Sequence, residues 1–313
     1  MRRREEPQIE IADLKETSVD FVLSNVNTSF ANAFRRVMIA EIPTVAIDLV
    51  DFIQNSTPLP DEMIAHRLGL IPIRSENADV LYPPDRCPRC EGEGCPMCRV
   101  TFFCDVSSGD SERIVTTNDF QLYDPINAGE EFASMSDVAR TIVPVELPAV
   151  PGEDPVPITI TKMGKNQQLK FLAHATRGIG RTHAKWSPIC ACAYRHVPRI
   201  EIDRTLLKEI PRQEEKEMIV RSCPCGVLRY DPTEDTIEVD QRSECTFCNQ
   251  CIEHIEEYHP RKEIISISSE EDKFYFTVET TGVLTPEQIV LKGLDVLKKK
   301  LTTLLDEVSS LPP

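Results

Sequence analysis

Long hydrophobic runs are missing from this 313-residue chain, and no stretch has the ~20 apolar residues that a membrane-spanning helix needs. Basic residues are outnumbered: 35 Lys and Arg stand against 51 Asp and Glu, giving a formal net charge of −16 and a pI near 4.9. Binding to DNA or RNA draws much of its affinity from Lys and Arg neutralising phosphates, so direct nucleic-acid contact is not expected. Glycine is thin, at 12 residues, and none builds a phosphate-cradling loop; no nucleophile elbow or His-Glu-x-x-His occurs either. The six histidines (66, 174, 183, 196, 254 and 259) are scattered. His66 and His183 read as buried or hydrogen-bonded groups, and Asp48 and Asp51 are too isolated for a metal pair. No catalytic residue is therefore assigned. The opening Met1-Arg-Arg-Arg-Glu-Glu lacks the apolar core of a signal peptide.

Cysteine, by contrast, is plentiful, with 12 residues in a chain with no secretory signal. An intracellular, reducing compartment is expected, where clustered thiols serve as metal ligands more often than as disulfides. In CPRCEGEGCPMC, Cys87, Cys90, Cys95 and Cys98 form two Cys-x-x-Cys knuckles separated by Glu91, Gly92, Glu93 and Gly94. Each knuckle points two thiolates at one centre, and the two glycines let the chain reverse between them. Four thiolates with no open position are the ligand set of a structural Zn²⁺, which staples a loop with little core of its own. Cys104, on a strand-like stretch, reads as a plain buried residue. A second group holds Cys223 and Cys225 in SCPCG and Cys245, Cys248 and Cys251 in ECTFCNQC. Cys-x-x-Cys-x-x-Cys is the local signature of a ferredoxin-type iron–sulfur loop, which takes one further cysteine from elsewhere. A [4Fe–4S] cluster is the leading reading. A second Zn²⁺, a [3Fe–4S] form and a site without metal stay open, because zinc accepts the same thiolates.

Apolar periodicity supplies the framework. Residues 8–23 alternate as a hairpin, and 25–43 reads as an amphipathic helix with Phe30, Ala33, Phe34, Val37 and Met38 on one face, capped by Thr28 or Ser29 and stopped by Pro43. A buried strand is expected at 44–53. Prolines and short β-like pieces from about residue 52 indicate an inserted strand-rich domain with strands at 101–106, 158–162 and 168–175 and an exposed loop at 148–157. EIISIS and KFYFTVET read as two more strands. A final helix runs from Pro286 to about Val308, with Thr285 and Gln288 as its capping box and a wide seam that includes Leu294, Leu297, Leu301 and Leu304.

Three stretches together carry a resemblance: NVNTSFANAFRRVMIAEIP with AHRLGLIP, then GIGRTHAKWSP at 178–188, then FYFTVETTGVLTPEQIVLKGLDVLKKKL at 274–301. In that order over most of the chain they resemble the α-like subunits of multisubunit RNA polymerases. The likeness is greatest to the branch found in eukaryotic RNA polymerase II; the archaeal counterpart comes next, and the bacterial α N-terminal domain is related. The resemblance implies an α+β fold. Its discontinuous dimerisation domain (8–50, 188–203 and 263–313) combines a sheet with two long helices. An inserted strand-rich, zinc-bearing domain (51–187) and a small ferredoxin-like cysteine-cluster insertion (204–262) complete it. It also implies a non-catalytic scaffold that pairs with a smaller α-like subunit, nucleates assembly of the two largest subunits with small assembly subunits, and works in the nucleus.

By the same resemblance Phe30, Phe34, Val37, Met38, Leu294, Leu297, Leu301 and Leu304 face the partner or a shared core, across an interface of about 1,600 Å² or more. Arg35 and Arg36 are then candidates for contact with a large subunit. Archaeal counterparts that carry a [4Fe–4S] cluster have a distant fourth cysteine, which implies Cys225, Cys245, Cys248 and Cys251 as ligands here, with Cys223 as a substitute. Two rival functions remain: the α-like subunit shared by polymerases I and III, and an iron–sulfur electron carrier.

Overall fold

The computed structural model describes residues 6–90, 94–123, 139–147 and 154–310; Gly92 and most of the loop expected at 148–157 fall outside them. In chain order the elements are β1 (Gln8–Leu14), β2 (Ser18–Ser24), α1 (Thr28–Ala40), β3 (Pro43–Asn55), α2 (Asp61–Gly69), β4 (Arg99–Ser107), β5 (Arg113–Thr116), β6 (Gln121–Leu122), β7 (Thr159–Met163), β8 (Gln168–Ile179), β9 (Ile189–Ile202), α3 (Arg204–Lys208), α4 (Gln213–Arg221), β10 (Leu228–Asp231), β11 (Thr236–Val239), α5 (Gln250–Tyr258), β12 (Ile265–Thr280) and α6 (Pro286–Ser309). Sheets and helices are mixed, an α+β architecture. The chain divides into two compact units, one of Met1–Asp13, Asp20–Asn32 and Ala193–Thr277, the other of Leu14–Val19, Ala33–Cys192 and Val278–Pro313. Segment 204–262 therefore lies wholly in the first unit and 51–187 wholly in the second.

The first unit holds most of a four-stranded sheet in the order β1-β2-β12-β9. Phe21 on β2 stacks on Phe276 of β12 with ring centroids 5.0 Å apart, and Tyr194 of β9 meets Phe274 edge-on at 5.5 Å. Where two strands were expected, β12 is continuous over 16 residues. The polar run Ser268–Lys273 contains no Gly, Pro or Asn to turn the chain, so its backbone stays extended and its side chains simply face water. Helix α1 starts at Thr28, and its cap is Asn27, not Thr28 or Ser29: the Phe30 N–H donates to Asn27 Oδ1 at 2.8 Å.

In the second unit a sheet in the order β3-β8-β4-β6 carries the larger core. Alternation decides its faces: Val100, Phe102, Cys104 and Val106 of β4 and Leu169, Phe171, Ala173 and Ala175 of β8 all point inward. Ile64 and Leu68 of α2 and Val115, Ile160 and Met163 of the antiparallel β5–β7 pair close over them. Strand β3 pairs antiparallel with β8, Thr44 opposite Gly178, and bulges between Ile47 and Leu49. The bulge turns Asp48 out to pair with Lys185 at 2.6 Å.

The motif at 178–188 is a weld. Trp186 is buried at 6% exposure on the α-carbon of Gly178; a methyl group on that glycine would lie 2.4 Å from the indole. The indole N–H donates to Thr176 O at 3.1 Å, and the Thr44 hydroxyl donates to Trp186 O at 2.7 Å. Ser187 donates to Ile39 O, the Arg181 N–H to Ala40 O, and Pro188 O accepts from Thr280 and Thr281. Four separate stretches thus share one hydrogen-bonded knot. His183 takes part by accepting the Lys185 N–H at 3.1 Å, whereas His66, expected to be buried or bonded, is exposed on α2.

Helix α6 opens with the expected capping box, Thr285 and Gln288 each bonding the other's backbone N–H. Gly293 faces α1: a methyl there would come within 2.9 Å of Met38 and 3.1 Å of Phe34. Gly178→Ala should therefore destabilise the second unit by about 1–3 kcal/mol through overpacking, with a change in emission of the single tryptophan. Gly109→Ala, with open space around it, should be near neutral in the same denaturation experiment.

Candidate metal centres and partner surface

Between α2 and β4, in the second unit, the first cysteine group forms a compact loop. Cys87 and Cys95 sulfurs lie 3.6 Å apart, Cys90 and Cys98 3.6 Å, and Cys95 and Cys98 4.0 Å; all four lie within 4.8 Å of one another. Four sulfurs each ~2.3 Å from one tetrahedral ion would be separated by ~3.8 Å, so the set could hold a single metal ion with no open position. Local backbone explains the convergence. The Cys98 and Arg99 N–H groups both donate to Cys95 O, making the second knuckle one tight turn, and Gly94 at φ +94° reverses the chain before it. The Tyr82 N–H holds the loop to Met97 O. Burial pushes the Cys98 thiol up to about 12 and raises Cys95 as well, so an ion entering here displaces protons.

In the first unit the second cysteine group is built differently. Cys223, Cys225, Cys245, Cys248 and Cys251 line one cavity together with Ile200, Val227, Leu228, Thr246, Asn249, Ile265 and Ile267. Among the described residues no trio of these sulfurs closes to the spacing of the first site. Phe247 and Asn249 adopt left-handed backbone, φ 57° and 59°, and these two reversals turn Cys245, Cys248 and Cys251 toward the same space. Asn tolerates that conformation, but for Phe it is costly, and such strain gathers at binding sites. Helix α4 ends just before Cys223, whose Sγ accepts the Val227 N–H at 3.4 Å. Cys245 and Cys251 are buried among Ile219, Ile255 and Ile264, which raises both thiols, Cys251 to about 11.

A polar clamp that composition and spacing did not reveal holds this small unit. Lys216 on α4 is 1% exposed, and its ammonium donates to Asp235 Oδ2 at 2.7 Å and Asp235 O at 3.2 Å. The Tyr230 hydroxyl donates to Asp235 Oδ1 at 2.7 Å. The β10–β11 hairpin is thereby fixed to the helix that delivers Cys223. A lysine between Glu215 and Glu217 reads as solvated in the sequence; only the fold buries it. Those two bonds, Lys216 first, hold the Asp235 carboxyl below the ordinary carboxylate range, and the Thr205 hydroxyl does the same for Asp203 at the α3 cap.

The positions proposed for a partner differ widely in exposure. Phe34, Val37 and Met38 are covered by this chain's own core, at 0%, 3% and 0% exposure. Phe30, Arg35, Leu294 and Leu297 are half-buried, and Arg36 is exposed. Leu301 and Leu304, with Leu305 and Val308 beside them, stand 57–65% exposed along the last turns of α6. Together they form an exposed apolar ridge on an acidic chain.

Residues 20–301 match the RNA polymerase Rpb3/Rpb11 dimerisation domain family. The chain is 35% identical over 307 residues to DNA-directed RNA polymerase II subunit rpb3 of Dictyostelium discoideum, a match spanning 97% of this chain and 95% of that one. It is 37% identical over 297 residues to DNA-directed RNA polymerases II, IV and V subunit 3 of Arabidopsis thaliana, spanning 94% and 89%. Subunit Rpo3 of Methanosphaera stadtmanae is 31% identical over 303 residues, spanning 96% and 98%.

A depressed folded-state pKa stabilises the fold above the unfolded value near 3.8, and that stabilisation is lost as pH falls through the folded pKa. Amide protection factors in β10 and β11, each taken against the intrinsic exchange rate at the same pH, should accordingly fall as pH drops below about 4, and Asp235→Asn should flatten that dependence.

Proposed function

Because the chain belongs to the RNA polymerase Rpb3/Rpb11 dimerisation domain family, we propose that it is the larger α-like, non-catalytic subunit of DNA-directed RNA polymerase II, acting in the nucleus as an assembly scaffold. The observation that carries this reading is likeness over nearly the whole length, insert included, to subunits named for polymerase II. The Rpb3/Rpb11 family name points to a smaller α-like subunit as the first partner. The exposed ridge of α6 is the surface proposed for it, continued along the helix by half-buried Leu294 and Leu297. Pairing would cover that ridge and create the platform for the two largest subunits and the small assembly subunits, with Arg35 and exposed Arg36 of α1 as candidates for contact with a large subunit.

Both cysteine groups serve this role as staples. Cys87, Cys90, Cys95 and Cys98 are the ligands of one structural Zn²⁺, supported by sulfur spacings that suit one ion. Cys245, Cys248 and Cys251, with a fourth sulfur from the Cys223-Pro224-Cys225 turn, hold a [4Fe–4S] cluster. The Cys-x-x-Cys-x-x-Cys run with a distant further cysteine supports the reading, and so does the single cavity that all five thiols line. When bound, the cluster cross-links α4, the hairpin and α5, whose shared core is small.

Affinity purification of the tagged chain from its own cells tests the assignment: stoichiometric recovery of the two largest polymerase II subunits with a small α-like protein is the expected result. Recovery with polymerase I and III subunits would reassign the complex. A Leu301→Glu, Leu304→Glu double variant should lose the small partner by about 100-fold or more in affinity while the isolated chain keeps its thermal midpoint, since both side chains are exposed; unchanged pairing would remove α6 from the interface.

A further inference from the structure

Two charged residues inside the family-like stretches have no role so far, Glu41 just after α1 and Lys300 on α6. We infer that the Glu41–Lys300 ion pair is a positioning contact: it holds the outer half of α6, and with it the apolar ridge, in place for the smaller α-like subunit. The inference rests on the ridge reading above.

The two halves of α6 are held differently. Burial fixes the inner half: Ile289 and Gly293 are covered, and the Lys292 ammonium donates to Asp79 Oδ2 at 2.8 Å and to Glu76 O at 3.2 Å. From Lys298 to Ser309 every residue is exposed. At ~1.5 Å per residue that is about 18 Å of helix, and it carries Leu301, Leu304, Leu305 and Val308. The hydroxyls of Thr302, Thr303 and Ser309 bond only to carbonyls of the helix itself. Among the described residues one hydrogen-bonded contact ties this stretch to the rest of the chain: the Lys300 ammonium reaches both carboxylate oxygens of Glu41, at 2.9 and 2.8 Å. Lys298, two residues away, carries the same charge and makes no such bond.

Glu41 stands on a fixed base. Its N–H donates to Val37 O at 2.9 Å, and just before it the Ser187 hydroxyl bonds Ile39 O and the Arg181 N–H bonds Ala40 O. Its side chain is 24% exposed, against 54% for Lys300, so the carboxylate is the anchored member of the pair. A carboxylate at a helix C-terminus opposes the helix dipole, so Glu41 does not serve α1 itself; an ammonium brought to that end offsets the cost. Exposed ion pairs add little to folding stability. The leverage here is on binding, because a helix end that already points the right way loses less freedom when a partner arrives.

The experiment uses the full-length chain and the small α-like protein that copurifies with it. Hydrogen exchange of the α6 amides is followed in the free chain and in the pair, beside the affinity of pairing. Glu41→Gln should lower protection from Lys298 to Ser309 in the free chain, leave it unchanged in the pair, and weaken pairing about three- to fivefold. Glu41→Lys should weaken pairing about tenfold, and adding Lys300→Glu should restore it to within about twofold of the parent. Lys298→Gln should leave exchange in the free chain at the parent level. Unchanged free-chain protection in both Glu41 variants, or a charge swap that rescues nothing, overturns the inference. A thermal midpoint that falls along with the affinity would make the pair a folding contact and overturn it as well. Pairing that survives Leu301→Glu, Leu304→Glu would instead remove the ridge reading, and the inference with it.

Discussion

The absence of a side chain at Gly178 is the constraint on which the second unit depends. Only a bare α-carbon lets the Trp186 indole lie flat against β8, and from that seat the 178–188 turn reaches α1, β3 and the chain before α6. The polar groups of the knot that are buried, the indole N–H and the Thr44 and Thr280 hydroxyls, are each paired, so the contact carries no desolvation penalty of an orphaned donor. The same close-approach rule recurs at Gly293, where α6 crosses Phe34 and Met38. The two helices expected to form a dimerisation platform are thus locked to each other before any partner arrives.

Thiols do for two loop-rich segments what apolar burial does for the sheets. The first group has collapsed to the sulfur spacing of a single ion, with turns and Gly94 supplying the curvature. The second keeps its sulfurs around an open cavity and reaches that arrangement through left-handed Phe247 and Asn249, at a conformational cost that the Lys216–Asp235–Tyr230 clamp helps the surrounding unit to bear. The two groups thus differ in backbone geometry: one closes its four sulfurs on a single point, the other lines a cavity.

Helix α6 shows how a subunit can be stable and still incomplete. Its first half is finished, with Ile289 and Gly293 buried against the core. Its last turns present leucines to water at more than half exposure, the kind of apolar patch that a partner surface uses. A net charge of −16 works against electrostatic attraction to phosphates.

Patterns that repeat at fixed spacing were legible from the chain alone. The capping box at Thr285 and Gln288, the strand alternation around Phe102 and Phe171, and the two Cys-x-x-Cys knuckles all express local geometry, which sequence distance encodes directly. So was family membership, because the order of three motifs survives without any structure. Which polar residue becomes buried was not legible: Lys216 lies in a glutamate-rich helix, and Asn27 displaced two equally plausible caps. Nor could spacing divide the leucine seam of α6 into a covered half and an open half. Those outcomes depend on which distant segment packs against a given residue, and burial and sulfur-to-sulfur distance are properties of that three-dimensional neighbourhood alone.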